Sequence, residues 1–134
     1  MSAAYVGLRQ DETAIKIDLL YRADAPLNPA HVLVPEGVDA RDANWLVATL
    51  DPETQAVVIS NDAERLSAAH AERLAEIRVR RDALLVGSDW TQVGDSPLDA
   101  DAKAAWRTYR QALRDLPDAA VACPFDAVWP VAPA

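Results

Sequence analysis

The chain has 134 residues, of which 51% are hydrophobic, and 13 basic against 21 acidic side chains give it a net charge of -8. This length fits one domain, or a small domain with an appended helical module, and the apolar content is enough to offset the entropy of folding. The negative charge would repel a phosphate backbone, so we expect no nucleic acid partner. The single cysteine excludes an internal disulfide and a thiol-rich metal cluster.

The hydropathy pattern also argues against a membrane protein. No apolar run approaches the ~18 residues that a membrane span needs, and the N-terminus lacks a basic segment followed by an apolar run. We therefore expect a protein of the cytoplasm that has no membrane contact.

The first part of the chain shows strand patterns. Ile15, Ile17, Leu19 and Tyr21 recur at every second position, which predicts a strand over residues 14–21 with these four side chains on one face. Residues 31–34 form a short apolar run between prolines, and this pattern is typical of a short edge strand.

A hairpin is predicted next. Apolar segments at 45–50 and 56–60 flank Asp51-Pro52-Glu53-Thr54-Gln55, in which proline presets φ for a type I turn and the aspartate can bond the turn backbone. Because a lone hairpin is marginal in water, we expect it to pair with the earlier strands in one small antiparallel sheet that buries one face.

A long helix is predicted over residues 62–86, because this segment lacks proline and glycine and Asn61-Asp62 offers an N-cap. Gly87 is expected to end it in the left-handed conformation. Its apolar stripe is thin, so three arrangements stay open: a bridge between the two halves of the chain, packing within the chain, or a coiled coil with a second copy.

A second helix is predicted over residues 100–116, between an N-cap at Asp99 and a stop at Pro117. One face of this helix is aromatic and apolar, and a basic ridge borders it, formed by Lys103, Arg107, Arg110 and Arg114. Prolines in residues 123–134 favour an extended tail. The predicted fold is therefore α+β, with an antiparallel β unit (1–61) followed by a long central helix and a C-terminal helical hairpin with an aromatic, proline-rich tail (62–134).

Several tryptophan-containing blocks follow one another in the second half of the chain. They are Arg80-Arg81-Asp82-Ala83-Leu84-Leu85, Ser88-Asp89-Trp90-Thr91-Gln92, Pro97-Leu98, Lys103-Ala104-Ala105-Trp106, Tyr109-Arg110-Gln111-Ala112-Leu113-Arg114-Asp115, and Phe125 with Val128-Trp129-Pro130. In this order the blocks resemble the bacteriophage tail assembly chaperone family, also called tail fibre assembly proteins, over residues 74–131. The resemblance implies a protein that helps a phage tail or tail fibre protein fold, trimerise or attach. It implies no enzymatic activity and no cofactor, and residues 1–61 match no family that we recognise.

The expected partner-binding residues lie within these blocks: Trp90, Trp106, Tyr109, Arg107, Arg110, Phe125, Trp129 and Pro130. Two interpretations of the aromatics stay open, because large rigid rings either dock into a partner or close a core that has few leucines. The basic ridge likewise either meets acidic groups on a fibre protein or is simply solvated.

Catalysis is not expected, because His31, His70 and Cys123 show no spacing that would join them in a catalytic or metal site. The predicted function is a tail assembly chaperone or tail fibre accessory protein in the host cytoplasm during phage assembly. Two alternatives are a structural component that is retained in the virion tail, and an enzyme or ligand-binding protein that uses the N-terminal half. Self-association is a further open question.

Overall fold

Strands come first along the chain and helices follow, so the computed structural model, which describes residues 2–11 and 14–134, confirms the α+β class. The elements are β1 (Ala3–Gln10), β2 (Ile15–Ala23), β3 (Val32–Leu33), β4 (Leu46–Leu50), β5 (Val57–Asn61), α1 (Ala63–Gly87) and α2 (Ala100–Ala119). Two compact units result, Met1–Ser67 and Ala68–Ala134. The division into domains 1–61 and 62–134 stays a prediction.

The first unit contains two antiparallel sheets where we expected one. The first sheet has the strand order β2-β1-β3, and β4 and β5 form a separate pair. The predictions of a strand at 14–21, a short edge strand at 31–34 and a hairpin at 45–60 are confirmed, but the hairpin does not join the earlier strands. The central strand β1 was not predicted. Its only sequence signal is the weak alternation of Ala4, Val6 and Leu8 with other residues, among them Gly7, which disfavours a strand.

A β-bulge in β2 overturns the predicted face of that strand. Gly7 pairs with Leu19 whereas Leu8 pairs with Ile17, so Asp18 is an extra residue on β2. The bulge moves Ile17 and Leu20 to the core side. Leu19 and Tyr21 consequently lie on the opposite face, and Leu19 is 46% exposed.

The β4–β5 turn is held by Asp51. Its carboxylate accepts hydrogen bonds from the Thr54 and Glu53 backbone N–H groups at 2.7 and 3.0 Å. The bonds from the Thr54 backbone and side chain, followed by that from the Glu53 backbone, lower the pKa of Asp51. Gln55 completes the turn in the left-handed region, at φ 57°.

The two sheets share one core, which consists of Val6, Val34, Ala40, Leu46 and Ile59. A side-chain amide anchors the backbone of Asp39, which precedes the core residue Ala40. Asn61 accepts from the Asp39 N–H at 2.8 Å and donates to the Asp39 carbonyl at 2.9 Å.

Both predicted N-caps are confirmed. Asp62 accepts from the Arg65 N–H at 3.0 Å, and Asp99 from the Ala102 N–H at 2.8 Å. Gly87, however, is the last residue of α1 and is not left-handed. The following residue, Ser88, satisfies carbonyls of the last turn, because its N–H and its hydroxyl both donate to the Leu84 and Leu85 carbonyls.

Helix α2 continues through Pro117 to Ala119, which corrects the predicted end at residue 116. Proline removes only one backbone donor, and here it does so in the final turn. Pro117 is buried, Leu116 and Ala120 pack with Ile77 of α1, and the Ala120 N–H donates to the Leu116 carbonyl. This packing holds the last turn helical.

Candidate functional site

Three aromatic rings form a continuous row of tilted and edge-to-face contacts in the second unit, which we call the aromatic stack. Trp90 lies in a 3₁₀ turn at Asp89–Gln92, and its ring centroid is 6.2 Å from that of Trp106 on α2. Trp106 meets the ring of Tyr109 edge to face at 5.6 Å. Tyr109 is only 8% exposed whereas Trp90 is 49% exposed. The aromatic stack thus runs from a buried ring to a ring that solvent can reach.

Arg110 fixes the turn that carries Trp90. One guanidinium nitrogen, Nη1, donates to the Leu85 carbonyl at 2.6 Å and to the Ser88 hydroxyl at 2.7 Å. The other, Nη2, donates to Asp89 Oδ1 at 2.6 Å. Arg110 is 8% exposed, so it does not belong to an exposed basic ridge as the sequence had suggested. Its donors are directed at groups within the chain.

Two further side chains hold this turn, those of Thr91 and Gln92, and the sequence predicted no such role for them. Thr91 is fully buried, and its hydroxyl donates to the Ser88 carbonyl at 2.7 Å. The Gln92 side-chain amide donates to the Thr91 hydroxyl and to the Lys103 carbonyl on α2. The sequence places both residues in a block of the family resemblance, but it does not reveal these contacts, because the Lys103 carbonyl is brought to the turn by the tertiary fold.

The remaining basic residues of the predicted ridge are more accessible. Arg107 and Arg114 are exposed on α2, and Lys103 is half-buried. Arg107 directly follows Trp106, so an exposed cation neighbours the aromatic stack along the helix.

The aromatic side chains of the tail lie on α1. Phe125 is in a 3₁₀ turn at Pro124–Asp126, with its ring centroid 5.8 Å from that of His70. The guanidinium of Arg80 lies 4.2 Å from the centre of the Trp129 ring, and Trp129 also packs against the Ile77 cluster. Pro130 is half-buried. Their part in partner binding stays a prediction.

A groove of about 300 Å³ lies between the end of α2 and the start of the tail. Its walls are mostly apolar and include Leu116, Ala120 and Val128. Cys123 also lines it and is exposed as a free thiol.

The residues weighed for catalysis have local structural contacts. His31 Nδ1 lies 2.9 Å from the Tyr21 hydroxyl, which also accepts from the Leu27 N–H, and His70 packs on Phe125. Within residues 2–11 and 14–134, no three His, Cys, Asp or Glu side chains come together as a possible metal site. In the same part of the chain, each helix is too short or too polar to cross a membrane.

A family model described as phage tail assembly chaperone protein matches residues 74–134. The matched segment contains the aromatic stack, the Arg110 contacts and the whole tail. Neither the curated proteins nor the solved structures gave a significant match. The family match supports a role in phage tail assembly, with a tail-related protein as partner, and implies that the role is not enzymatic. Residues 74–134 are therefore similar to the phage tail assembly chaperone protein family.

Proposed function

We propose that the chain binds a phage tail or tail fibre protein while that protein folds, trimerises or attaches, and that the aromatic stack is the contact surface. The observation that carries the proposal is the exposure of Trp90 on a rigid support. Trp90 is 49% exposed, yet its ring contacts Trp106, which in turn contacts the buried Tyr109. Large aromatics of this kind dominate binding energy where they fill a partner's pocket.

The surroundings of Trp90 suit a protein partner. Val93, three residues further on, is also exposed and extends the apolar surface, and Arg107 supplies an exposed guanidinium for carboxylates. Because the hydrogen bonds of Arg110, Thr91 and Gln92 already hold the turn, little conformational entropy remains to be lost on binding. In this mechanism the chain covers apolar surface on the nascent tail protein through a modest and reversible interface.

Phe125, Trp129 and Pro130 have an indirect role in this proposal. Phe125 and Trp129 brace α1 through their contacts with His70, Ile77 and Arg80, Pro130 follows Trp129 in the tail, and Trp90 meets the partner. The chain would act in the host cytoplasm and leave before the particle is complete. Mass spectrometry of purified particles separates this proposal from a subunit retained in the tail, because only a retained subunit is detected there.

Co-expression with the neighbouring tail fibre gene tests the contact surface. We expect the chain to raise the soluble yield of the fibre protein, and Trp90→Ala to abolish most of that gain while its circular dichroism spectrum stays unchanged. Val79→Ala is the matched control, since Val79 is exposed on α1 away from the aromatic stack. An undiminished gain with Trp90→Ala would exclude the aromatic stack as the contact surface, and no gain with the unaltered chain would argue against the chaperone role itself.

A further inference from the structure

Two open strand edges lie side by side in the first unit. Strand β2 is at the edge of its sheet, and among the described residues β4 pairs with β5 alone. The two strands are near neighbours, but they do not pair with each other in the part of the chain that the structure describes. Each therefore has one side on which backbone groups lack a ladder partner.

The hydrogen-bond alternation shows which groups of β2 face outward. Asp11 and Ala14 exchange both backbone hydrogen bonds next to the β1–β2 turn. In an antiparallel ladder such pairs alternate with pairs whose N–H and C=O groups point away from each other. Lys16 therefore bonds to Arg9 on β1, whereas the backbone groups of Ile15 and Ile17 point to the open edge.

The same argument applies to β4. The Asp62 N–H donates to the Trp45 carbonyl and the Asp51 N–H to the Ala56 carbonyl, so Val47 and Thr49 are the residues bonded to β5. The backbone groups of Leu46 and Ala48 point the other way. The Leu46 N–H donates to the Ala43 carbonyl. The Leu46 carbonyl and both backbone groups of Ala48 are left at the open edge.

These two edges line one groove of about 490 Å³. Its lining includes Ile15, Lys16 and Ile17 from β2, Leu46 and Ala48 from β4, and Arg65 from the first turns of α1. Such a groove offers backbone donors and acceptors at the spacing of a β-strand. This is the surface to which an extended peptide adds by main-chain hydrogen bonds.

The charge of the groove is opposite to that of its unit. Residues 1–67 contain eleven acidic and five basic side chains, yet among the residues that the structure describes the groove is lined by Lys16 and Arg65 and by no acidic side chain. Lys16 uses one donor on Asp11, and Arg65 contacts Asp62 and the Asn44 carbonyl. An ammonium has three donors and a guanidinium five, so both cations can also bind carboxylates.

We propose that this groove binds an extended, acidic segment of a partner protein by strand addition. The main-chain groups of Ile15, Ile17 and Ala48 would bond its backbone, and Lys16 and Arg65 would select its carboxylates. This site lies outside the segment that matches the chaperone family, and it would give the N-terminal unit a binding role of its own.

The test uses the full chain and a short fluorescein-labelled peptide in which valine and glutamate alternate. We expect saturable binding by fluorescence anisotropy, and binding weaker by about tenfold or more when lysine replaces glutamate. Hydrogen exchange followed by NMR should show slower exchange of the Ile15, Ile17 and Ala48 amides in the complex.

Charge reversal locates the site. Arg65→Glu should weaken binding of the glutamate peptide by about tenfold. Arg22→Glu, an equal change on the exposed part of β2 outside the groove, should not. The proposal is overturned if the glutamate peptide does not bind, if the two peptides bind equally, or if the three amides gain no protection. Protection of these amides by self-association, without peptide, would instead assign the groove to a second copy of the chain.

Discussion

At the scale of single residues, Arg110 has the most consequential position in the second unit. The last carbonyls of a helix lack intrahelical donors and carry the negative end of the helix dipole. The Arg110 guanidinium supplies both a donor and a positive charge to the Leu85 carbonyl at that end of α1. Through Asp89 it also orients the turn that presents Trp90.

Arg110→Ala should therefore lower the free energy of unfolding by about 2–3 kcal/mol, because it leaves buried acceptors without a charged donor. The free energy of unfolding of Arg110→Lys should lie between those of the unaltered chain and of Arg110→Ala. A lysine keeps the charge, but it lacks the planar fork with which arginine bonds in two directions. Urea unfolding followed by circular dichroism measures both. The control is Arg114→Ala, an exposed site on the same helix, which should change stability by less than about 0.5 kcal/mol. Equal effects at the two positions would show that the Arg110 contacts contribute nothing.

At the scale of elements, the tail behaves as a structural part of the helical unit although most of it lacks regular secondary structure. Ala127 and Trp129 pack on the cluster formed by Ile77, Leu116 and Ala120. Two helices alone would leave this apolar surface open to water. The tail covers the surface, as a third helix would in a helical bundle.

Loss of the Trp129 ring should accordingly destabilise the unit. Trp129→Ala removes both the packing on Ile77 and the contact with the Arg80 guanidinium, and we expect a loss of about 2 kcal/mol, below the range for a fully buried tryptophan. Urea unfolding is again the measurement. Val131→Ala serves as the control, because Val131 is 90% exposed two residues further along the same tail. If Trp129→Ala were as stable as that control, the tail would not brace the helices.

At the scale of the whole molecule, each unit has a core of its own. Val6, Leu46 and Ile59 belong to the core of the first, and Ile77 and Leu116 to that of the second. A unit whose apolar contacts are internal can fold without the rest of the chain.

A fragment of residues 62–134 should thus be helical and unfold cooperatively in urea, since it keeps the Asp62 cap and all of α1. It should also keep the effect on fibre solubility. A fragment of residues 74–134, which is the segment matched by the family, is the control. It lacks the start of α1 and the His70 contact of Phe125, and it should be less stable. A non-cooperative transition in the longer fragment would mean that the helical unit depends on residues 1–61.

The sequence by itself determined those features in which the interacting groups lie within a few residues of each other. Asp62 and Asp99 cap their helices through backbone groups three positions away, and Asp51 shapes its turn in the same way. The ordered tryptophan blocks were equally visible in the sequence, and they indicated the family whose model matches residues 74–134. Such features could be predicted because neither partner has to be brought from a distant part of the chain.

The tertiary structure decided everything that depends on residues far apart in sequence. The bulge at Asp18 is set by its pairing with β1, and the continuation of α2 past Pro117 by packing against α1. Arg110 has a helical spacing typical of a solvated ridge, yet it is buried because Leu85 and Asp89, more than twenty positions earlier, form its acceptors. Helical spacing predicts the face of the helix on which a side chain lies. Only the tertiary structure determines whether that face contacts solvent or other parts of the chain.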